Sequence, residues 1–380
     1  MLRSAMNFLK ILLAVFSIPV ISQALPFPIG HEEALMANVG VALPESAGNP
    51  LFNPAGMAFF KLDGLSITVS GNALEQMRFE LDGLDADDEQ SNIRPTIANF
   101  IVPVENGYAS AYVSNPISVN ILQSNMGSTG GNINHTRLSI NSSIINAGLA
   151  YAHPINEKMG WGISAGGNYT LQEINGYRYT NDTTTAITTY DHERLKSLQP
   201  FITPGFLWKV TNSYFLGATA SVLLPNIFAE GLEYNSITNS ATPMDVRETL
   251  VVYNPGTTPS FKLAIGQRFK ALNQEFFLDI NYSGSYEEKS SDGATVTTNE
   301  TKDFGLSWRG SLYKSFRPLA GASYTDQGHS EAHLYTAGFT MQHRQNLSAF
   351  GFYYQKNKPK RDEASPYDGI GVVFSSNVIY

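Results

Sequence analysis

Six ionisable side chains sit in stretches where polar and apolar residues alternate: Lys262, Arg268, Asp279, Asp303, Arg309 and Arg317. Alternation with period two puts all six on the polar side of their strands. Four cations and two carboxylates on one face offer two kinds of chemistry. The cations could hold the acid group of a ligand, or they could pair with the carboxylates as structural ion pairs. Charges withdrawn from bulk water must pair or line a wet cavity, and the structural role is the simpler of the two. Arg309 and Arg317 fall close to short turns, which puts them at one end of the strand set.

Catalysis has weaker support. Seven histidines are present, at positions 31, 135, 153, 192, 329, 333 and 343. His329 and His333 are four apart but flank a loop tip without helix signals. His192 lies between Asp191 and Glu193, where solvation explains all three. A nucleophile elbow of the Gly-x-Ser-x-Gly type and a His-Glu-x-x-His zinc motif are both lacking. With zero cysteines there is no disulfide framework and no thiolate metal site. The expectation is a protein that is not an enzyme and uses no cofactor and no metal.

The elements that must position these residues read as strands. From Ile67 to Tyr380 short alternating runs are separated by polar turns. In one of them Leu278, Ile280 and Tyr282 oppose Asp279, Asn281 and Ser283. In another Phe304, Leu306 and Trp308 oppose Asp303, Gly305, Ser307 and Arg309. The connections fall into two alternating classes. The short ones are at 105–107, 156–158, 211–213, 272–273, 313–315 and 344–346. The long polar ones are at 81–92, 119–135, 181–191, 230–256, 287–300, 326–331 and 357–368. Six short and seven long connections join 14 strands with both ends on the short-turn side. Short periplasmic turns alternating with longer external loops are the pattern of an outer-membrane barrel. The last run alternates from Ile370 and ends on an aromatic, Tyr380, as would suit recognition by barrel-assembly machinery.

Composition agrees. Only 15% of residues are charged, against about 25% in a typical soluble domain, while the chain holds 19 Tyr, 22 Phe and 32 Gly. Arg3 and Lys10, an apolar run from Ile11 to Val20 and the small residues Ser22 and Ala24 form a signal peptide expected to be cleaved after Ala24. Its ten apolar residues are too few for a helix that spans a bilayer, which needs about 20. From Leu25 onward 23 basic face 33 acidic side chains, a balance that argues against nucleic acid as a partner.

The stretch from Leu25 to Phe60 does not alternate, yet Leu35, Met36, Val39, Leu43, Met57 and Phe59 demand burial. A compact plug inside the barrel would supply it, with a short helix across 31–38. The stretch contains Asn49-Pro50-Leu51-Phe52-Asn53-Pro54-Ala55-Gly56. Asn-Pro is a turn former, and two copies in six residues suggest a rigid connector. Asn53-Pro54-Ala55-Gly56, shortly before the first strand, resembles the N-terminal hatch motif of the FadL family, outer-membrane transporters of long-chain fatty acids and other hydrophobic compounds. Gly40-Val41-Ala42 resembles the small-residue stretch ahead of that motif, Arg317-Pro318-Leu319-Ala320-Gly321 resembles a late strand of the family, and Asp279 matches an aspartate in another. The family's carboxylate-binding residues have no matched positions here.

That resemblance implies an all-β fold, a 14-stranded transmembrane barrel over 63–380, a hatch over 25–62 and a signal peptide over 1–24. It implies passive, plug-gated uptake of a hydrophobic small molecule in the bacterial outer membrane, with gating at Asn53, Pro54, Ala55 and Gly56. It also implies lateral exit through the wall. Asn115-Pro116 is the candidate kink there, because proline removes a ladder donor. The expected partners are a hydrophobic ligand, outer-membrane lipid and the assembly machinery, and the expected state is a monomer. The alternative is a non-transporting barrel: an adhesin, a receptor or a structural porin-like protein.

Overall fold

The computed structural model describes residues 28–61, 63–81, 84–90, 94–129, 132–181, 186–240, 245–254, 257–289, 295–311, 315–328, 330–360 and 367–380. The expected signal peptide lies outside them. Fourteen antiparallel strands close into a barrel. The first seven are β1 Ser66–Leu81, β2 Arg94–Val104, β3 Gly107–Thr129, β4 Asn132–Asn156, β5 Met159–Asn181, β6 Ala186–Thr211 and β7 Tyr214–Leu223. The second seven are β8 Ser260–Ala271, β9 Gln274–Ser283, β10 Thr301–Arg309, β11 Phe316–Asp326, β12 Ser330–His343, β13 Asn346–Pro359 and β14 Tyr367–Ile379. Each pairs with its neighbour in sequence, and β14 returns to β1 in a register that sets Ser66 opposite Ile379. Closure leaves no free sheet edge, which is the condition for strands to cross a bilayer.

The alternation of the sequence becomes the two faces of the wall. Val69, Phe100, Leu149, Ile265, Leu306 and Phe352 are exposed on the outside, where lipid replaces water. Phe269 stacks on Phe276 at 5.1 Å and Phe316 on Phe339 at 5.2 Å between ring centres, close to the short turns. Such aromatics belong to the girdle at the membrane boundary. At the turn after β8, Leu272 and Asn273 both have positive φ, 50° and 64°. That is the signature of a two-residue type I′ hairpin, whose twist matches the flanking strands.

The external side differs from expectation. The segments 119–135 and 181–191 are strand wherever they are described, so β3 to β6 run 23 to 26 residues. The segment 230–256 holds a hairpin, Phe228–Asn239 with Asp245–Tyr253, that pairs with β6 from Ile187 to Leu198. Leu84–Gln90 likewise folds back on the outer half of β1. Strand above the bilayer has water on both faces, so it lacks the apolar stripe that marks a strand in sequence.

Among the described residues the wall is interrupted around β3. The ladder between β2 and β3 ends at Ile97 opposite Ser114 among the described residues. Directly above, β3 carries one extra residue against β4: Ser114 pairs with Asn146, and the next pair is Ile117 with Ile144. Asn115 and Pro116 are the bulge. A bulge bends its strand and locally disrupts the ladder, and Pro116 has no N–H to give to either neighbour.

Candidate functional site

The N-terminal residues 28–61 pack against the inward faces of the strands. A 3-10 turn at Glu33–Met36 is closed by Ala37 and Asn38, both in the left-handed region. A single helical turn, Asn49–Phe52, has Pro50 as its second residue, where a missing N–H costs nothing. A second 3-10 turn, Pro54–Phe59, follows. Leu35, Met36 and Leu43 are fully buried with Phe277, Leu319, Leu334, Tyr353 and Val373 of the wall. Met57 packs with Ile101, Tyr112, Ala150 and Ala152 on the opposite side. Each such side chain removed from water contributes about 1.5–3 kcal/mol.

Asn53 is the organising residue of the motif. It is fully buried. Its Oδ1 accepts from Ala55 N at 3.1 Å, capping the turn that follows. Its Nδ2 donates to Val41 O at 2.7 Å within the segment and to Phe206 O at 3.1 Å on β6. Pro54 begins the second 3-10 turn. A Cβ at Gly56 would stand 2.4 Å from the Asn49 side chain, so only glycine lets the two turns close together. Ala55 is buried with Ala42, Leu207 and Phe215. The backbone comes equally close to the wall. A Cβ at Gly217 would meet Val41 O at 2.1 Å, and one at Gly162 would meet Pro54 C at 2.5 Å.

The six charged residues divide. Asp279, on β9, is 2% exposed, and its Oδ2 accepts from Gly40 N at 2.7 Å and Val41 N at 2.9 Å. Arg309, on β10, donates to Glu32 Oε2 at 2.5 Å and also engages Glu275. Arg268 pairs with the same Glu275 and covers the Phe215 ring at 4.8 Å. Among the described residues neither arginine pairs with Asp279 or Asp303. The partners of Arg268 and Arg309 are Glu275 on β9 and, for Arg309, Glu32 in the N-terminal segment. Arg317 makes no hydrogen bond or ion pair to the segment among the described residues. Lys262 and Asp303 line a cavity.

Glu32 and Glu275 were not singled out in the sequence. Glu275 has the inward parity of Phe277 and Asp279, which is the signal that could have found it. Glu32 lies in a non-alternating stretch and carries no such signal. Thr336 also escaped notice. Its Oγ1 accepts from Ala37 N at 3.0 Å and donates to Leu35 O at 2.8 Å. Two titratable groups of the segment are shifted. Burial pushes the Glu33 carboxyl up to about 7, and burial lowers the neighbouring His31 below its ordinary value.

Above this segment lies a cavity of about 450 Å³. Val39, Val41, Leu51 and Phe52 give it an apolar floor. Its walls come from β7 to β11, and on the far side it reaches Asn146, the residue opposite Ser114 beside the Asn115–Pro116 bulge. No described helix is long and apolar enough to cross a membrane.

No protein-family model matches the chain, and no curated protein matches it in sequence. Solved structures do match in fold. The Ralstonia pickettii toluene transporter TbuX superposes with a TM-score of 0.65 at 11% identity over 93% of this chain and 99% of its own. The monoaromatic hydrocarbon channel CymD gives 0.62 at 13% identity, covering 93% and 98%. A Pseudomonas aeruginosa FadL homologue gives 0.60 at 11%, covering 92% and 98%.

Proposed function

We propose that this chain is an outer-membrane channel for passive uptake of hydrophobic small molecules, gated by its N-terminal segment acting as a plug. The observation that carries this reading is the cavity between the apolar face of residues 39–52 and the wall, which reaches Asn146, the partner of Ser114 next to the Asn115–Pro116 bulge. A hydrophobe entering from outside would rest on Val39, Val41, Leu51 and Phe52. It would leave sideways into the bilayer at the bulge, or downward if Asn53 to Gly56 move. The solved channels of like fold include carriers of toluene and other monoaromatic hydrocarbons. That likeness supports a small aromatic cargo at least as well as a long-chain fatty acid.

The plug can be locked for a test. A Cβ at Gly305 would lie 3.8 Å from Val39 Cβ, the mean separation across a disulfide, and the protein has no cysteine of its own. The Val39→Cys/Gly305→Cys protein in liposomes should take up naphthalene when reduced and stop when oxidised. Uptake no faster than in empty liposomes in both states would sink the transport reading. Equal uptake in both states, faster than empty liposomes, would sink the gating.

A further inference from the structure

We infer that the cargo of the cavity is an uncharged aromatic or alicyclic compound bearing a hydroxyl or similar polar group, rather than a bare hydrocarbon or an acid. This rests on the transport reading above and sharpens it.

The cavity is two-faced. Its floor, Val39, Val41, Leu51 and Phe52, offers nothing but carbon. Its walls are a band of neutral hydrogen-bonding side chains, among them Ser260, Asn281, Ser283, Thr301 and Thr325. Register explains the band. Ser283 stands opposite Thr301, and Asn281 opposite Asp303, so successive inward positions of β9 and β10 are polar at the same height. None of these five side chains makes a hydrogen bond among the described residues. Asp279, which also borders the cavity, has its Oδ2 engaged by Gly40 and Val41.

Unengaged hydroxyls and amides around an apolar seat discriminate strongly. A molecule that fills the seat without a polar group strips their water and gives nothing back. One that carries a hydroxyl replaces that water, and a site that hydrogen-bonds a ligand hydroxyl rejects the analogue lacking it. The ionisable groups at the cavity do not make an anion site. Asp279 and Asp303 both line the cavity and outnumber Lys262 there, so the acid of a ligand meets no net positive charge. A negatively charged ligand gains nothing from that arrangement.

The test uses one ring system with and without the hydroxyl. Retention of radiolabelled 1-naphthol and naphthalene is measured on the full-length protein in nanodiscs, against empty nanodiscs. The wild type should hold 1-naphthol at least about tenfold more tightly. In the triple variant Asn281→Leu/Ser283→Ala/Thr325→Val that ratio should fall to near one, and Ser283→Ala alone should reduce it two- to threefold. Should the triple variant fail to fold, the single variant decides. Equal or tighter retention of naphthalene by the wild type would overturn the inference and leave the transport reading standing. So would a 2-naphthoate that outcompetes 1-naphthol. If neither naphthalene nor 1-naphthol is retained above empty nanodiscs, both readings fall together.

Discussion

Arg309 and Glu32 meet at 2.5 Å with their side chains 10% and 6% exposed, joining β10 to the N-terminal segment across 277 positions of sequence. Glu275 takes the other side of the same guanidinium and Arg268 shares it, so four charges alternate in sign from the N-terminal segment to the wall. Removing one partner of a buried pair strands the other, at a cost of roughly 3–5 kcal/mol. Arg309→Met strands two carboxylates. The temperature at which the barrel loses its heat-modifiable gel mobility should fall markedly, and Arg309→Lys, which keeps the charge but not the fork, should lie between.

Asn53→Ala unseats three groups at once: Val41 O, Phe206 O and Ala55 N. Each buried orphan costs about 1–3 kcal/mol. The barrel loses only the one contact at Phe206 O, so the effect should be concentrated in the segment. Amide exchange of residues 40–56 should accelerate by two orders of magnitude or more while the strands stay protected, and planar bilayers should show new ion leakage.

Gly162→Ala drives a methyl into the Pro54 and Ala55 backbone, with approaches of 2.5 and 2.6 Å, whereas at Gly176 the nearest atom is an ordinary 3.6 Å away. The first substitution should raise leakage as Asn53→Ala does. Gly176→Ala should match the wild type in the same conductance assay.

Glu33 should give the N-terminal segment a pH dependence. Its folded pKa, about 7, lies above the unfolded value of 4.5, because burial disfavours the carboxylate. Its contribution to docking is complete below pH 4.5 and is lost as pH rises through about 7, each tenfold change in proton affinity being worth roughly 1.4 kcal/mol. His31 works in the opposite sense. Its folded pKa is depressed below 6.5, so its contribution is present above 6.5 and is lost as pH falls through the folded value. Plug protection in the wild type minus that in Glu33→Gln, by hydrogen exchange, should therefore decline between pH 4.5 and 7 and then level off. A flat difference would show that Glu33 is solvated.

The residues explain what could be read in advance. Leu278, Ile280 and Tyr282 against Asp279, Asn281 and Ser283 state both faces of β9 in six letters, since a wall one strand thick has no other way to satisfy lipid and lumen. The closed barrel of 14 strands follows from such runs and from the alternation of turn lengths. The outer halves of β3 to β6 escaped because strands wet on both sides carry no stripe. Long-range pairs escaped for a different reason. Nothing near Asp279 announces that its oxygen receives the amides of Gly40 and Val41, because the partner is backbone and leaves no mark in the sequence. Asn53 was found through its neighbours Pro54 to Gly56, and its hydrogen bonds now supply the physical reason for that spelling.

The seam that sets Ser66 opposite Ile379 also fixes an order of events. Pairing residues so far apart is the entropically dearest step in the ladder and cannot begin until the end of the chain exists. If that seam closes last, residues 28–61 can dock from the side on an open, curved sheet without threading a finished ring. His31 bonds to Ser375 on β14 itself, so the strand that shuts the wall also fastens what lies within it. On that order, assembly would not pass through an empty, leaking pore.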